Sequence, residues 1–285
     1  MAIPKTISRQ NVIDAIREIR VHGIPRERLP RKWYLSYKGM KYPTKLAISL
    51  AHKIAKGRSL DPSKFTGGNE SNSFLRRLGF SVCPYTPMEA ITDSIVKELC
   101  TAKPCRLSDI RKSADVVPKE SGVYVWYFEG LPPSVPTRAC FKRGRKRLLY
   151  VGISPENKSS RETLRSRIRF HYLRNAEGST LRRTLGCLLS RKLRIELRRV
   201  GSGKRNTFGE VGEARLTRWM ATNAAVAWVK TKAPWTVESH LIKALKTPLN
   251  IESNRTHGFC RELCQLRAKC LKNAREKPIL KNEDT

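Results

Sequence analysis

Arg167 and His171 stand four residues apart in L-R-S-R-I-R-F-H-Y. On a helix, residues at that spacing share a face, so a guanidinium and an imidazole can act at one point. Upstream, Tyr124 sits in S-G-V-Y-V-W-Y-F and Tyr150 in L-L-Y-V-G-I-S; downstream, Glu238 opens E-S-H-L-I-K-A-L and Asn250 follows twelve residues later in T-P-L-N. Phosphodiester hydrolysis asks for an activated water, charge relief on the phosphate, stabilisation of the leaving oxygen, and alignment. A two-metal site would want clustered carboxylates, yet residues 121–285 hold a single aspartate, Asp284, and scattered glutamates. One carboxylate with one divalent cation fits better.

The elements that must position these groups follow from composition. Val, Tyr, Trp and Phe dominate Gly122–Phe128, and Leu148–Gly152 is a short apolar run, so both are predicted strands. Strand alternation puts Tyr124 on one face with Trp126 and Phe128. Glu162–Arg174 lacks Gly and Pro and is a predicted helix. Ser179 precedes a further helix, with Arg182 and Arg183 in its first turns. Leu193–Val200 alternates as a strand with Leu193, Ile195 and Leu197 inward, Gly212–Asn223 is helical, and Ala224–Lys230 is another strand. The expected class is α+β, a small mixed β-sheet flanked by helices, with a separate and mostly helical N-terminal domain.

Gly122-Val123-Tyr124 and Tyr150-Val151-Gly152, followed in order by Arg167, His171, Glu238 and Asn250, resemble the core of the GIY-YIG nuclease family over roughly Ser121–Asn254. Val123 and Val151 replace the family's Ile, and both are apolar swaps. The resemblance implies a role for each residue. Tyr124 would be the general base that activates water. Its ordinary pKa of about 10 means it needs help, which His171 would supply by taking or relaying the proton. Arg167 would bind the scissile phosphate through its planar fork. Tyr150 would orient phosphate or water, and Asn250 would brace the site. Glu238 would hold Mg²⁺ or Mn²⁺, hard cations that prefer oxygen ligands. Taken singly, each residue has a bland reading as a core tyrosine or a solvent-facing glutamate. Only their joint order argues for catalysis.

Lys and Arg number 58 against 24 acidic residues, a net charge of +34, of which +12 falls in residues 1–120 and +22 in residues 121–285. Such an excess calls for a polyanion, and nucleic acid leads. A membrane surface is disfavoured, since no long basic amphipathic helix with an aromatic face is present. On charge alone a basic RNA binder also qualifies. Met1–Arg20 has no apolar signal region, no stretch approaches a membrane span, and eight scattered Cys fit free thiols, so a cytoplasmic protein is expected. The loop Glu129–Arg147 between the signature strands ends in K-R-G-R-K-R. Lys142, Arg143, Arg145, Lys146 and Arg147 there, with Arg165, are candidate DNA contacts; the alternative is a solvated charge run.

Four segments are expected: a module over 1–84, a connector over 85–118, the catalytic domain over 119–256, and a tail over 257–285. In the first, Ser8–Val21 and Tyr42–Lys56 are predicted helices and Trp33–Tyr37 a strand turning at Lys38-Gly39. Its pattern Y-P-T-K-L-A-I-S-L-A…F-T-G-G-N-E-S-N-S-F-L-R-R-L-G-F resembles a small module of restriction-type endonucleases and related defence proteins, which implies DNA recognition. A purely structural or dimerising module is the alternative. In the tail, His257, Cys260, Cys264 and Cys270 lack the close Cys pair usual for zinc, and Cys260 and Cys264 fit an apolar helix face with Leu263 and Leu271. The whole points to a metal-dependent DNA endonuclease of restriction type, as a homodimer on DNA. Its rivals are a non-catalytic nucleic-acid binder on a nuclease scaffold and a repair or homing nuclease.

Overall fold

Ser8 starts the first helix. Its hydroxyl accepts from the Asn11 backbone N–H while Asn11 Oδ1 accepts from the Ser8 N–H, a reciprocal cap for α1 (Arg9–His22). The computed structural model describes residues 3–30 and 32–280, and the chain divides into two units, Met1–Ala90 and Ile91–Thr285. In the first unit α1 packs on α2 (Thr44–Lys56) through Val12, Ala15, Ile16 and Ile19. β1 (Trp33–Tyr37), β2 (Met40–Pro43) and β3 (Ser81–Pro84) form an antiparallel sheet in the order β2-β1-β3, and α3 (Asn69–Arg77) adds Phe74 and Leu75 to the core. Tyr42 and Pro43, expected in the second helix, are strand residues, because they pair with Leu35 and Tyr34.

The division between the units falls inside α4 (Pro87–Thr101). The segment read as a connector, 85–118, contains α4 and α5 (Leu107–Lys112). Leu107, Ile110 and Val117 join the main core of the second unit, and Cys105 bridges backbone-to-backbone to Val226. That core lies on a four-stranded sheet of β4 (Gly122–Phe128), β5 (Lys142–Arg143), β6 (Lys146–Ser154) and β9 (Ala224–Lys230), ordered β5-β6-β4-β9. Its ladders are all antiparallel, which corrects the expected mixed sheet while keeping the α+β class. Central β4 is buried along its whole length. Tyr124, Trp126 and Phe128 face the core that contains Leu164, Ile168 and Tyr172 of α6 (Leu164–Leu173), whereas Tyr127 donates from the other face to the Leu99 carbonyl of α4 at 3.2 Å.

The remaining elements are α7 (Thr180–Leu188), α8 (Ser190–Leu193), the hairpin β7 (Arg198–Val200) and β8 (Arg205–Thr207), α9 (Gly209–Asn223), α10 (Glu238–Leu245) and α11 (Cys260–Glu276). The expected strand Leu193–Val200 is mostly not one: Arg194 takes a left-handed conformation at the end of α8, and only Arg198–Val200 pairs. The region read as a tail is largely α11, which packs on α7 and β7 with Leu263 and Ala274 buried. Residues 281–285 lie outside the described residues.

Candidate active site

The two signature glycines are there for close approach. Gly152 faces Tyr124 across the β4–β6 ladder, and a Cβ on it would overlap the Tyr124 ring carbon Cζ and hydroxyl. A Cβ on Gly122 would overlap the Val229 carbonyl of β9 and the Leu164 side chain. Only glycine lets the phenol lie across β6 and lets β9 close on β4.

Thr163 caps α6 by a reciprocal bond with Ser166, and the helix turns Arg167 and His171 to one face. His171 is fully buried, with Nε2 2.6 Å from Tyr124 Oη and Nδ1 2.7 Å from Ser179 Oγ. Ser179 caps α7 by accepting from the Arg182 N–H at 3.0 Å. Burial, then Arg167 and Arg182, push the His171 pKa well below 6.5, so the ring is neutral at pH 7. Burial, then the neighbouring Tyr150, raise Tyr124 well above 10, with Arg167 opposing. Tyr124 is therefore protonated at rest, and the nearest group able to take its proton is the imidazole.

Behind this chain sits Arg182, wholly buried. It pairs with Glu213 at 2.6 and 3.0 Å and donates to the carbonyls of His171, Tyr172 and Glu213. It ties the end of α6 to α7 and α9. Sequence reading placed Arg182 in a helix without giving it this role.

A cavity of about 580 Å³ opens on the other side of Tyr124, and Tyr150, Arg167, Glu238, Asn250, Glu156 and Arg267 also line it. Arg167 is 15 % exposed. Its Nη2 donates to Glu156 at 3.2 Å and its Nη1 to the Gly178 carbonyl at 3.2 Å, Glu162 lies 3.8 Å away, and its buried Nε has no partner. Burial opposes its charge, but Tyr124 and Glu162 more than offset this and keep it cationic. Burial pushes the Tyr150 phenol up as well. Asn250 is a clamp: Oδ1 accepts from the Val151 N–H at 2.9 Å and Nδ2 donates to the Val151 carbonyl at 2.8 Å, so its amide holds β6 and is not free for chemistry.

Glu238, first residue of α10, has its pKa raised by burial and then by Glu156 and Glu252, with Arg167 opposing. Carboxylates that repel one another in a half-buried pocket suit a cation. Among the described residues no group of three or more His, Cys, Asp or Glu side chains is placed to hold a metal. A lone carboxylate on this wall suits a hard divalent ion such as Mg²⁺ better than a soft one, and Glu238 is the residue that would hold it.

The basic loop lies elsewhere. Arg147 pairs with Phe128 at the far end of the ladder from Tyr124, four residues or roughly 13 Å along β4. Lys142 and Arg145 are exposed, Arg143 donates to the carbonyls of Cys100 and Ala102, and Lys146 lies 3.8 Å from Glu129. Arg165 donates to the Val117 carbonyl at 2.6 Å and pairs with Asp115 at 2.9 Å. Arg143 and Arg165 thus brace the domain itself. Sequence reasoning missed Glu156, Glu162 and Arg267 around the pocket. The glutamates follow no periodic signal. Arg267 had one, since it interrupts an apolar stripe.

The class that this architecture and pocket define is an endonuclease, a phosphodiester hydrolase. Residues 122–269 match the family model described as the GIY-YIG catalytic domain, more than half of the chain, and the chain belongs to that family. Residues 5–84 match a second model, the ScoMcrA-like N-terminal head domain. Comparison with curated proteins and with solved structures gives no match for this chain.

Proposed function

We propose that this protein is a metal-dependent DNA endonuclease of restriction type, in which residues 1–84 read the DNA and residues 119–256, with α11, cut it. The observation that carries the reading is the Tyr124–His171–Ser179 chain ending at a pocket that also holds Arg167 and Glu238. Pairing of a ScoMcrA-like head with a GIY-YIG catalytic domain in one chain supports the restriction assignment. The charge of +34 supports a nucleic-acid substrate. Cutting both strands of a duplex takes two sites or two visits, so a homodimer on DNA belongs to the same proposal.

In this mechanism Tyr124 Oη accepts a proton from the attacking water while its own proton passes to His171 Nε2. Ser179 Oγ then accepts from Nδ1–H and steadies the imidazolium. Arg167, which lines the pocket, binds a phosphate oxygen, and Tyr150 orients the phosphate. Glu238 would hold Mg²⁺ or Mn²⁺, which when bound would supply charge relief for the phosphate and the leaving oxygen. Asn250 keeps Val151, and with it Tyr150, in register.

Tyr124→Phe removes one hydroxyl and Glu238→Gln one charge, each at near-constant volume. Both are expected to bind DNA like the wild type and to lose at least about 10²-fold in cleavage rate. Folded Glu238→Gln that cuts plasmid at the wild-type rate in Mg²⁺ would sink the role given to Glu238, whereas a wild type that binds plasmid without cutting it would favour a non-catalytic DNA binder.

A further inference from the structure

α11 begins beyond Asn254, although the family match reaches residue 269, and its inward face presents Leu263, Arg267, Cys270 and Ala274 at helical spacing. Leu263 and Ala274 are buried and Cys270 packs on the main core. Arg267 is the charged member of this stripe. Among the described residues it makes no hydrogen bond and no ion pair. Its charged neighbour is another cation, Arg183, and that repulsion, after burial itself, lowers its pKa. Such a cation is normally paired or replaced by an apolar side chain. Arg267 instead lines the cavity that holds Tyr150, Arg167 and Glu238.

The charges of that cavity indicate why. Its lining carries Glu156, Glu238 and Glu252 against Arg167 and Arg267. Arg167 is already engaged by Glu156 and approached by Glu162, whereas Arg267 is not engaged at all. Without Arg267 the lining would hold three carboxylates against one paired arginine, and it would repel a phosphate. We propose that Arg267 is a second phosphate-binding arginine of the active site, receiving the phosphodiester from the α11 wall while Arg167 holds it from the α6 wall. The inference rests on the nuclease reading above. A guanidinium with its fork unengaged suits two phosphate oxygens.

The test compares Arg267→Met and Arg267→Lys with Lys272→Gln, which removes an exposed charge from the same helix. Single-turnover plasmid cleavage in Mg²⁺ should fall by about 10²-fold in Arg267→Met, recover partly in Arg267→Lys and stay unchanged in Lys272→Gln. The melting temperature of Arg267→Met should not drop, since no intramolecular partner is lost. In a Glu238→Gln background, binding of a short DNA duplex at several salt concentrations should lose about one phosphate contact, a change of about 0.9 in the slope of log K against log salt. Cleavage by Arg267→Met at the wild-type rate overturns the proposal, and so does a rate loss that tracks a lowered melting temperature. If the wild type binds DNA without cutting, the nuclease reading falls. The binding slope then decides alone: a slope unchanged by Arg267→Met overturns the phosphate contact, and a loss of about 0.9 upholds it.

Discussion

His171 is the residue on which the proposed proton path turns, and it has been made a poor base in the resting site. Burial and two arginines hold it neutral, so it takes the Tyr124 proton only as the attacking water gives one up. Glutamine in its place keeps a hydrogen bond to Tyr124 but cannot accept a proton. His171→Gln is expected to slow cleavage by about 10²-fold at pH 7 and to regain rate as pH rises. A pH–rate profile of single turnovers checks this, and an unshifted profile would remove His171 from the path. The same residue sets a stability signature. Its folded pKa lies below the unfolded value of about 6.5, so on acidification the unfolded chain binds a proton that the folded chain excludes. The contribution is flat above about pH 6.5 and erodes stability below it. Thermal melts between pH 7 and pH 5 should fall less steeply for His171→Gln.

At the scale of elements, the site is a strand pair, a helix face and a clamp, each with a steric condition. Gly152 is the tightest. Gly152→Ala would drive a methyl into the Tyr124 ring, which is boxed in by β6, α6 and Trp126. The expected cost is about 1–3 kcal/mol of stability and about 10²-fold in cleavage from a displaced hydroxyl, measured by denaturant melts and single-turnover rates. A fully active Gly152→Ala would mean that Tyr124 need not lie across β6. These elements were legible in the sequence because their signals are local. Gly122–Phe128 and Ala224–Lys230 show their β-branched and aromatic runs, Ser179 announces a helix start, and i,i+4 spacing joins Arg167 to His171. What was illegible is long-range. Nothing near Arg165 says that Val117 and Asp115 will engage it, and nothing near Arg143 points to Cys100 and Ala102. α11 looked like a tail because its contribution, one arginine on an apolar stripe, makes sense only once α7 and the pocket are beside it.

For the whole molecule the question is what the first unit adds. It has its own sheet, its own core and a match to a head-domain model, and the residues before Ser121 carry +12 of the net charge. The catalytic pocket is lined entirely from residues 124–271, so the chemistry should not need the first unit. A chain beginning at Tyr85 keeps all of α4, and so keeps Leu99, which accepts from Tyr127 under the sheet. We expect that chain to retain Mg²⁺-dependent cleavage while losing site preference. It should also show a shallower salt dependence of DNA binding, because phosphate contacts leave with the head. Sequencing the ends of plasmid cut by the full and shortened chains, on methylated and unmethylated substrate, separates the two roles. Ends clustered at the same sites for both chains would place the reader in residues 85–285 and return the head to a structural or dimerising part. Scattered ends from the shortened chain, against clustered ends from the full one, would fix recognition in residues 1–84 and cutting behind them.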